Sequence, residues 1–287
     1  MTLSYGADAL HESIVSNNLG THARTRGALY VGADFRALRR FSLSVSAREE
    51  VYRRFSGELS PTVAGGVWLS QRVKLRASAS RAFRVPSYTD LYYHDPANVG
   101  SPNLRPERAW TYEGGVDWNP GPRVRGDFTI FQRRERDGID YERTSANDIW
   151  RALNIQNLNF TGVETSLRLA PARGQTIDFR YTGLHGTQDT IPVASTKYSF
   201  NYPTHSGVIA WQAAVGSLIF RTRVGVLDRK ARDPYALWDL YAASSRGRLH
   251  PFLHIANVTS TSYQEILGVQ MPGRTVMGGL ELVLRRH

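Results

Sequence analysis

Two short segments carry side chains that could hold a metal ion or perform acid–base chemistry. His250 and His254 are spaced like two ligands on one helical turn, but Pro251 opposes a helix there, and no third ligand accompanies them. The second segment, Tyr92-Tyr93-His94-Asp95, offers phenols, an imidazole and a carboxylate that could mimic a catalytic cluster. Neither pattern is specific enough to predict a reaction.

The motifs of the common hydrolases and nucleotide-binding enzymes are missing from the sequence. There is no Gly-x-Ser-x-Gly, no phosphate-binding loop and no zinc-protease motif. The absence of cysteine excludes disulfides, thiolate metal sites and a cysteine nucleophile. We therefore expect no catalytic residue, no metal site and no cofactor.

The elements that must position these side chains are strands, because apolar residues recur at every second position. Phe41–Ala47 alternates apolar residues with serine, and Val73, Leu75, Ala77 and Ala79 alternate with basic and serine residues. The basic side chains on the polar faces of such strands are Arg72, Lys74, Arg76, Arg168, Arg221 and Arg223. A soluble sandwich would bury the apolar faces, whereas a membrane barrel would turn them toward lipid and the basic residues toward a wet lumen.

Segment lengths favour the membrane barrel. About fourteen segments of about 9 to 13 residues are found, longer than the ~5–6 residues usual in soluble sheets. They start near Leu3, Arg24, Phe41, Pro61, Arg72, Glu107, Arg123, Thr161, Gln175, Ser206, Ser217, Tyr235, Pro251 and Arg274. Short connections alternate with mostly longer ones, at 84–106, 137–159, 186–205 and 259–273. Short turns on one side and long loops on the other are typical of outer-membrane barrels.

Composition and charge agree with this prediction. Mean hydropathy is −0.37, and the most apolar stretch, Gly207–Phe220, is too short for a membrane helix. The formal charge of +11 has three possible explanations: arginines scattered over the surface, binding to an anionic membrane surface, or binding of an anionic ligand. The sequence has no Lys/Arg run of five or more, which argues against binding of nucleic acid. Residues 1–25 show no signal peptide, so we expect the chain to belong to a longer or processed precursor.

Three linked motifs resemble those of TonB-dependent outer-membrane receptors. Phe83-Arg84-Val85-Pro86 followed by Asp90-Leu91-Tyr92 resembles a strand-end corner of that family, and Gly100–Glu107 resembles its "Gly-Asn-Pro-x-Leu-x-Pro-Glu". Tyr112-Glu113-Gly114-Gly115 follows in register. Asn154–Leu169 and the stretch from Ile255 to the last strand resemble two further family segments. The resemblance covers residues from about 40 to the end, and is closest to the cobalamin and small-siderophore branch.

The resemblance implies an all-β fold: an antiparallel transmembrane β-barrel in the outer membrane of a Gram-negative-type bacterium. Residues 1–287 would supply about fourteen strands of a barrel of 22, without the N-terminal plug domain through which such receptors contact TonB. The implied function is uptake of a ferric siderophore, cobalamin or similar large chelate, with the chain inactive alone. A passive pore closed by about fourteen strands is the alternative.

The resemblance also suggests roles for particular residues. Ligand-contacting candidates in the long loops are Tyr88, Tyr92, Tyr93, His94, Asp95, Tyr263 and Gln264. The six basic residues of the polar faces would line the lumen. There they would either support the plug or create a positive field for anionic chelates.

Overall fold

The computed structural model describes residues 1–37, 40–155, 157–188, 195–197, 202–230, 232–265 and 268–283. Its dominant feature is a single sheet of fourteen strands. These are β1 (Thr2–Ser16), β2 (Gly20–Ala37), β3 (Phe41–Tyr52), β4 (Glu58–Trp68), β5 (Val73–Arg84), β7 (Glu107–Gly121), β8 (Val124–Arg136), β11 (Leu158–Leu169), β12 (Gln175–Gln188), β14 (Pro203–Val215), β15 (Leu218–Arg229), β16 (Tyr235–Ser244), β17 (Leu249–Ala256) and β18 (Thr275–Leu282). The remaining elements lie in the connections and are α1 (Tyr88–Tyr92), β6 (Asn98–Val99), β9 (Ile139–Arg143), β10 (Trp150–Asn154) and β13 (Ser195–Thr196).

The large sheet is an antiparallel meander in which each strand pairs with the one before and after it along the chain, the loop strands aside. Its strands run from 8 to 18 residues. All fourteen begin within four residues of the predicted starts, so the strand prediction is confirmed. Within the described residues β1 and β18 pair with one neighbour each, and the sheet is therefore open at both edges.

The two faces of this sheet are inverted relative to a soluble protein. Leu75, Ile130 and Ile209 are 43%, 54% and 51% exposed, while Lys74 and Arg76 on the opposite face are half-buried. Direct cross-strand partners share a face, and they extend the apolar rows across the sheet. An exposed apolar face is costly in water and stable in lipid, which identifies a membrane-facing surface.

Aromatic side chains mark both borders of this apolar face. Trp118 lies opposite Gly126 near the short turns, and Trp110 lies opposite Arg134 toward the long connections. The eight residue steps of β8 from one row to the other span about 26 Å along the strand, which suits a tilted crossing of a bilayer. Trp68 does not belong to either row, because it is directly opposite Lys74 and therefore on the polar face, with its ring 4.6 Å from the ammonium.

The connections alternate as predicted. On one side, two to five residues join β2 to β3, β4 to β5, β7 to β8, β11 to β12, β14 to β15 and β16 to β17. The other side, called the loop face below, carries the turns 17–19, 53–57 and 230–234 and the longer connections 85–106, 137–157, 189–202 and 257–274. No helix in the described ranges is long and apolar enough to span a bilayer.

Three of the long connections contribute strands to one assembly on the loop face. Strands β13, β9, β10 and β6 form a second, four-stranded sheet in that order. Leu91 of α1, Leu104, Tyr141 and Ala152 make a buried apolar cluster beside it. We call this assembly the loop domain. Its buried core gives the loops a fixed arrangement of the kind that positions binding residues.

Candidate functional site

The loop domain is fastened to the large sheet by charged residues of the strand-end motif. Arg84, the last residue of β5, pairs with Glu107, its direct partner at the start of β7, and with Asp90 at 3.0 Å. The Asp90 carboxylate also accepts from the Ser87 amide at 2.9 Å, and the Ser87 hydroxyl accepts from the Asp90 amide, forming a capping box at α1. These motif residues therefore hold α1 in place.

Asn154 fastens the second long connection to the first. Its side-chain oxygen accepts from the Arg105 amide at 2.8 Å, and its amide nitrogen donates to the carbonyls of Arg105 and Asp137 at 2.9 and 2.6 Å. Asn257 has the same function in the last loop, where it is buried with φ of 49°. Its side chain bonds the amide and carbonyl of Thr261, both at 2.9 Å.

Glu58 is a buried charge hub beside the loop domain. It is 1% exposed and pairs with Arg81 at 2.8 Å and with Arg108 at 2.5 Å. Arg108 also reaches Asp137 at 3.1 Å. The sequence analysis did not single out Glu58, because its partners lie 23 and 50 positions away and no local pattern connects them.

Helix α1 brings two of the predicted ligand residues together with groups from β2 and the 53–57 turn. The Tyr92 ring stacks on His22 at 3.5 Å between centroids, and Tyr88 lies 6.3 Å from Tyr92. Arg24 lies over the Tyr88 ring at 5.2 Å, and Arg54 donates to the Tyr92 hydroxyl. We call these five residues the mouth cluster. Register places His22 and Arg24 on the polar face of the sheet, so α1 lies over that face.

The charge of the mouth cluster is only partly compensated. Arg24 pairs with Glu12 at 2.5 Å and donates to the Pro86 carbonyl at 2.8 Å. Arg54 has the Pro102 carbonyl, at 2.7 Å, and the Tyr92 hydroxyl as its partners, and neither carries a negative charge. A small cavity of about 160 Å³ lies among these side chains, with Arg53 and Leu91 in its lining. The cluster thus offers flat apolar rings beside guanidinium donors.

The other predicted residues of this loop have different surroundings. The Asp95 carboxylate accepts from the amides of Ala97 and Asn98 at 2.7 and 2.6 Å, and these bonds hold its pKa below the usual range. Its hydrogen bond to Tyr93 raises the pKa of that phenol. Asp95 therefore shapes the loop, while His94 is exposed and forms one bridge to Val99. Their predicted contact with ligand stays a prediction.

Tyr263 and Gln264 lie at the far end of the wall, in the β17–β18 connection, and contact the β15–β16 connection and the start of β16. The Tyr263 ring is 4.9 Å from that of Tyr235, and burial is the largest cause that raises its pKa. Gln264 accepts from the Gly268 amide at 3.0 Å and, through its carbonyl, from Arg232 at 3.3 Å. A cavity of about 610 Å³ opens here. The predicted ligand residues therefore form two groups, one over β1–β7 and one over β15–β18.

The predicted lumen-facing cations mostly have partners on the same face of the sheet. Arg76 pairs with Asp117 at 3.0 Å, Arg168 with Asp178 at 2.6 Å and Arg223 with Asp239 at 3.5 Å. Arg221 donates to Gln212 at 2.7 Å, Lys74 lies over Trp68, and Arg72 is exposed in the turn before β5. Their contact with a plug or with a passing ligand stays a prediction.

Three members of the mouth cluster could not be recognised from the sequence: His22, Arg24 and Arg54. The first two lie on β2, where they alternate with Ala23 and Thr25 and belong to no motif that would mark them in the sequence. Within the described ranges, no three potential metal ligands of the His, Asp and Glu types converge.

Comparisons with known proteins agree with the architecture. A family model described as "TonB dependent receptor-like, beta-barrel" matches residues 3–249, so the likeness extends to the first strands, where the sequence motifs were weak. The chain is 27% identical over 169 residues to the vitamin B12 transporter BtuB of Vibrio vulnificus, covering 57% of this chain and 27% of that protein. It is 25% identical over 210 residues to the iron-regulated outer membrane virulence protein of Vibrio cholerae, covering 65% and 32%.

Solved structures share the fold across nearly the whole chain. The siderophore receptor PirA of Pseudomonas aeruginosa gives a TM-score of 0.78 at 17% identity, covering 97% of this chain and 52% of that one. The copper transporter OprC gives 0.78 at 15% identity, covering 98% and 55%. The chain thus spans about a third or less of these curated relatives and about half of these structures. Its open sheet is the wall of an outer-membrane barrel, and the chain belongs to the TonB-dependent receptor β-barrel family.

Proposed function

We propose that this chain is the ligand-presenting wall of an uptake receptor for a large, anionic metal chelate. Its fourteen strands form part of a barrel, its polar face lines the lumen, and its loop face captures the ligand. Curated relatives are named as a vitamin B12 transporter and an iron-regulated outer membrane protein, and similar structures include a ferric enterobactin receptor in complex with enterobactin. These names support a metal chelate as the class of transported ligand.

The observation that carries the proposal is the mouth cluster, fixed in place by the loop domain. Stacked rings at His22, Tyr88 and Tyr92 offer flat faces to an aromatic or macrocyclic chelate. Arg54 has no carboxylate partner among the described residues, so its charge is free to attract an anion. An anionic chelate therefore fits this mouth better than a neutral one.

Transport requires parts that we propose to lie elsewhere in the receptor. Residues 1–287 act as one barrel domain, and a plug domain inside the lumen transmits the work of TonB. The polar face of the wall supports that plug through its paired cations and carboxylates. The open edges at β1 and β18 argue against a pore closed by these fourteen strands alone, because unpaired backbone groups are costly in hydrocarbon.

The uptake proposal is tested by complementation of a receptor-deleted strain. The chain alone is compared with the chain fused to the plug and missing strands of a homologous receptor, with uptake of a labelled ferric catecholate as the measurement. We expect uptake from the fusion only, and its loss when the inner-membrane energy source is collapsed. Energy-dependent uptake by the chain alone would refute the need for a plug.

Ligand class is tested on the same fusion by equilibrium binding. Arg54→Gln should weaken binding of a ferric catecholate about tenfold, the value of one charge-assisted contact. Arg125→Gln is the matched control, since Arg125 lies near the short turns and donates to Asn119 at 3.2 Å. Tight cyanocobalamin binding that is indifferent to Arg54→Gln would overturn the anionic assignment.

A further inference from the structure

The apolar face carries one basic group where hydrocarbon gives way to lipid headgroups. Register puts Arg134 directly opposite Trp110, and Gln132 directly opposite Tyr112, on neighbouring strands β8 and β7. The Trp110 and Tyr112 rings stack at 6.1 Å and are exposed. Tryptophan and tyrosine on a lipid-facing surface sit at the level of the headgroups. Arg134 is therefore at headgroup height.

Arg136 continues the same row one step closer to the loop face. It lies opposite Arg108, and both Arg134 and Arg136 are exposed. Arg108 and the nearby Arg81 both pair with Glu58, and Arg108 also pairs with Asp137, so both have carboxylate partners. In the described structure Arg134 has one side-chain partner, the Gln132 oxygen at 3.1 Å, and neither it nor Arg136 pairs with a carboxylate. Two uncompensated guanidiniums thus face the lipid.

The neighbouring positions keep this patch positive. Asn159 is the partner of Arg134 on β11, and Thr161 is the partner of Gln132. The nearest carboxylate along β8, Glu135, alternates to the opposite face and pairs there with Arg133 at 2.6 Å. An arginine in the interface without a carboxylate is stabilised by an anionic headgroup, which guanidinium can bind through two parallel hydrogen bonds.

We propose that Arg134 and Arg136, flanked by Trp110 and Tyr112, bind the phosphate of a phosphorylated lipid of the outer leaflet. The rings cover the upper part of its acyl chains, and the two guanidiniums hold the phosphate. The site lies on the outside of the barrel, away from the uptake path. If no lipid binds here, the uptake proposal still stands. If the chain has no part in uptake, the lipid site still stands.

The test is native mass spectrometry of the purified barrel containing this chain, titrated with bis-phosphorylated lipid A and with phosphatidylethanolamine. Arg134→Gln/Arg136→Gln should weaken lipid A binding about tenfold, while the Lys/Lys version should retain most of it, because the charge remains. Arg133→Gln, the neighbour on the opposite face, is the matched control and should bind as the parent does. Gel electrophoresis of unheated and heated samples measures the folded fraction of each protein, because a folded barrel changes its migration on heating.

Three outcomes would overturn the assignment. The first is parental lipid A affinity in the Gln/Gln protein. The second is an equal loss in Arg133→Gln, which would indicate a general charge effect. The third is full competition by inorganic phosphate at millimolar concentration, which would indicate a site for a free anion. Selective loss of lipid A in the Gln/Gln protein, with phosphatidylethanolamine binding unchanged, supports the lipid site.

Discussion

Removing the charge of Glu58 should destabilise the loop end of the wall more than breaking an exposed ion pair does. The carboxylate is 1% exposed and holds Arg81 at 2.8 Å and Arg108 at 2.5 Å, whose side chains are 18% and 31% exposed. Glu58→Gln keeps the shape and removes the anion. Both cations would then lie in a poorly solvated site without their shared partner.

The size of the effect follows from what each arginine retains. Breaking a fully buried pair by removing one partner costs about 3–5 kcal/mol. Here Arg108 keeps Asp137 at 3.1 Å, and Arg81 keeps the Leu59 carbonyl. Because each arginine keeps one partner, we expect a smaller loss, about 2–3 kcal/mol in the free energy of unfolding.

The assay is urea unfolding of the barrel in lipid vesicles, followed by tryptophan fluorescence. Asp178→Asn is the matched control, because it removes one carboxylate from an exposed cross-strand pair with Arg168, at 2.6 Å, and should cost less than about 1 kcal/mol. If Glu58→Gln falls within the error of Asp178→Asn, the hub does not stabilise the wall and the argument from burial is wrong.

Three further changes test other parts of the structure. Ile130→Arg, midway between the aromatic rows on the lipid face, should cost about 2–4 kcal/mol in vesicle unfolding; a neutral result would contradict the orientation of β8. Asn154→Ala should open the loop domain, seen as faster proteolysis within 137–157 with the strands still protected. The Thr144 hydroxyl and Arg151 lower the pKa of Asp148 to about 2, so its stabilising contacts are complete above about pH 4 and are lost as the pH falls toward 2. The protection factor of the Thr144 amide, which donates to the Asp148 carboxylate, should fall over that interval in the parent and change less in Asp148→Asn.

The sheet could be predicted from the sequence because a strand with two unlike faces permits one register. Sliding a strand by one residue would turn Leu75 into the lumen and Arg76 into lipid, so the alternation itself selects the pairing. The long connections were also predicted to share one side of the sheet, and the structure confirms this. The apolar–polar alternation was therefore sufficient to predict all fourteen strands.

The site was predicted only where its residues are close in sequence. Tyr88 and Tyr92 follow the strand-end motif and were candidates by position, but their partners come from elsewhere: His22 and Arg24 from β2, and Arg54 from a turn. Such contacts depend on how α1 folds back over the sheet. The motif's charged residues were noticed through resemblance, and their function became clear only when Arg84 was seen to hold both Asp90 and Glu107.

The distribution of ion pairs also bears on the two roles considered for the polar-face cations. Arg168 and Arg223 pair with Asp178 and Asp239, their direct partners on the adjacent strands, so each charge is cancelled close to the wall. A cancelled pair produces little field at a distance of several ångströms. These arginines therefore suit contact with a plug better than attraction of a ligand from solution. Arg54 in the mouth has no carboxylate partner in the described structure, and under the uptake proposal its charge would draw an anion toward the loops.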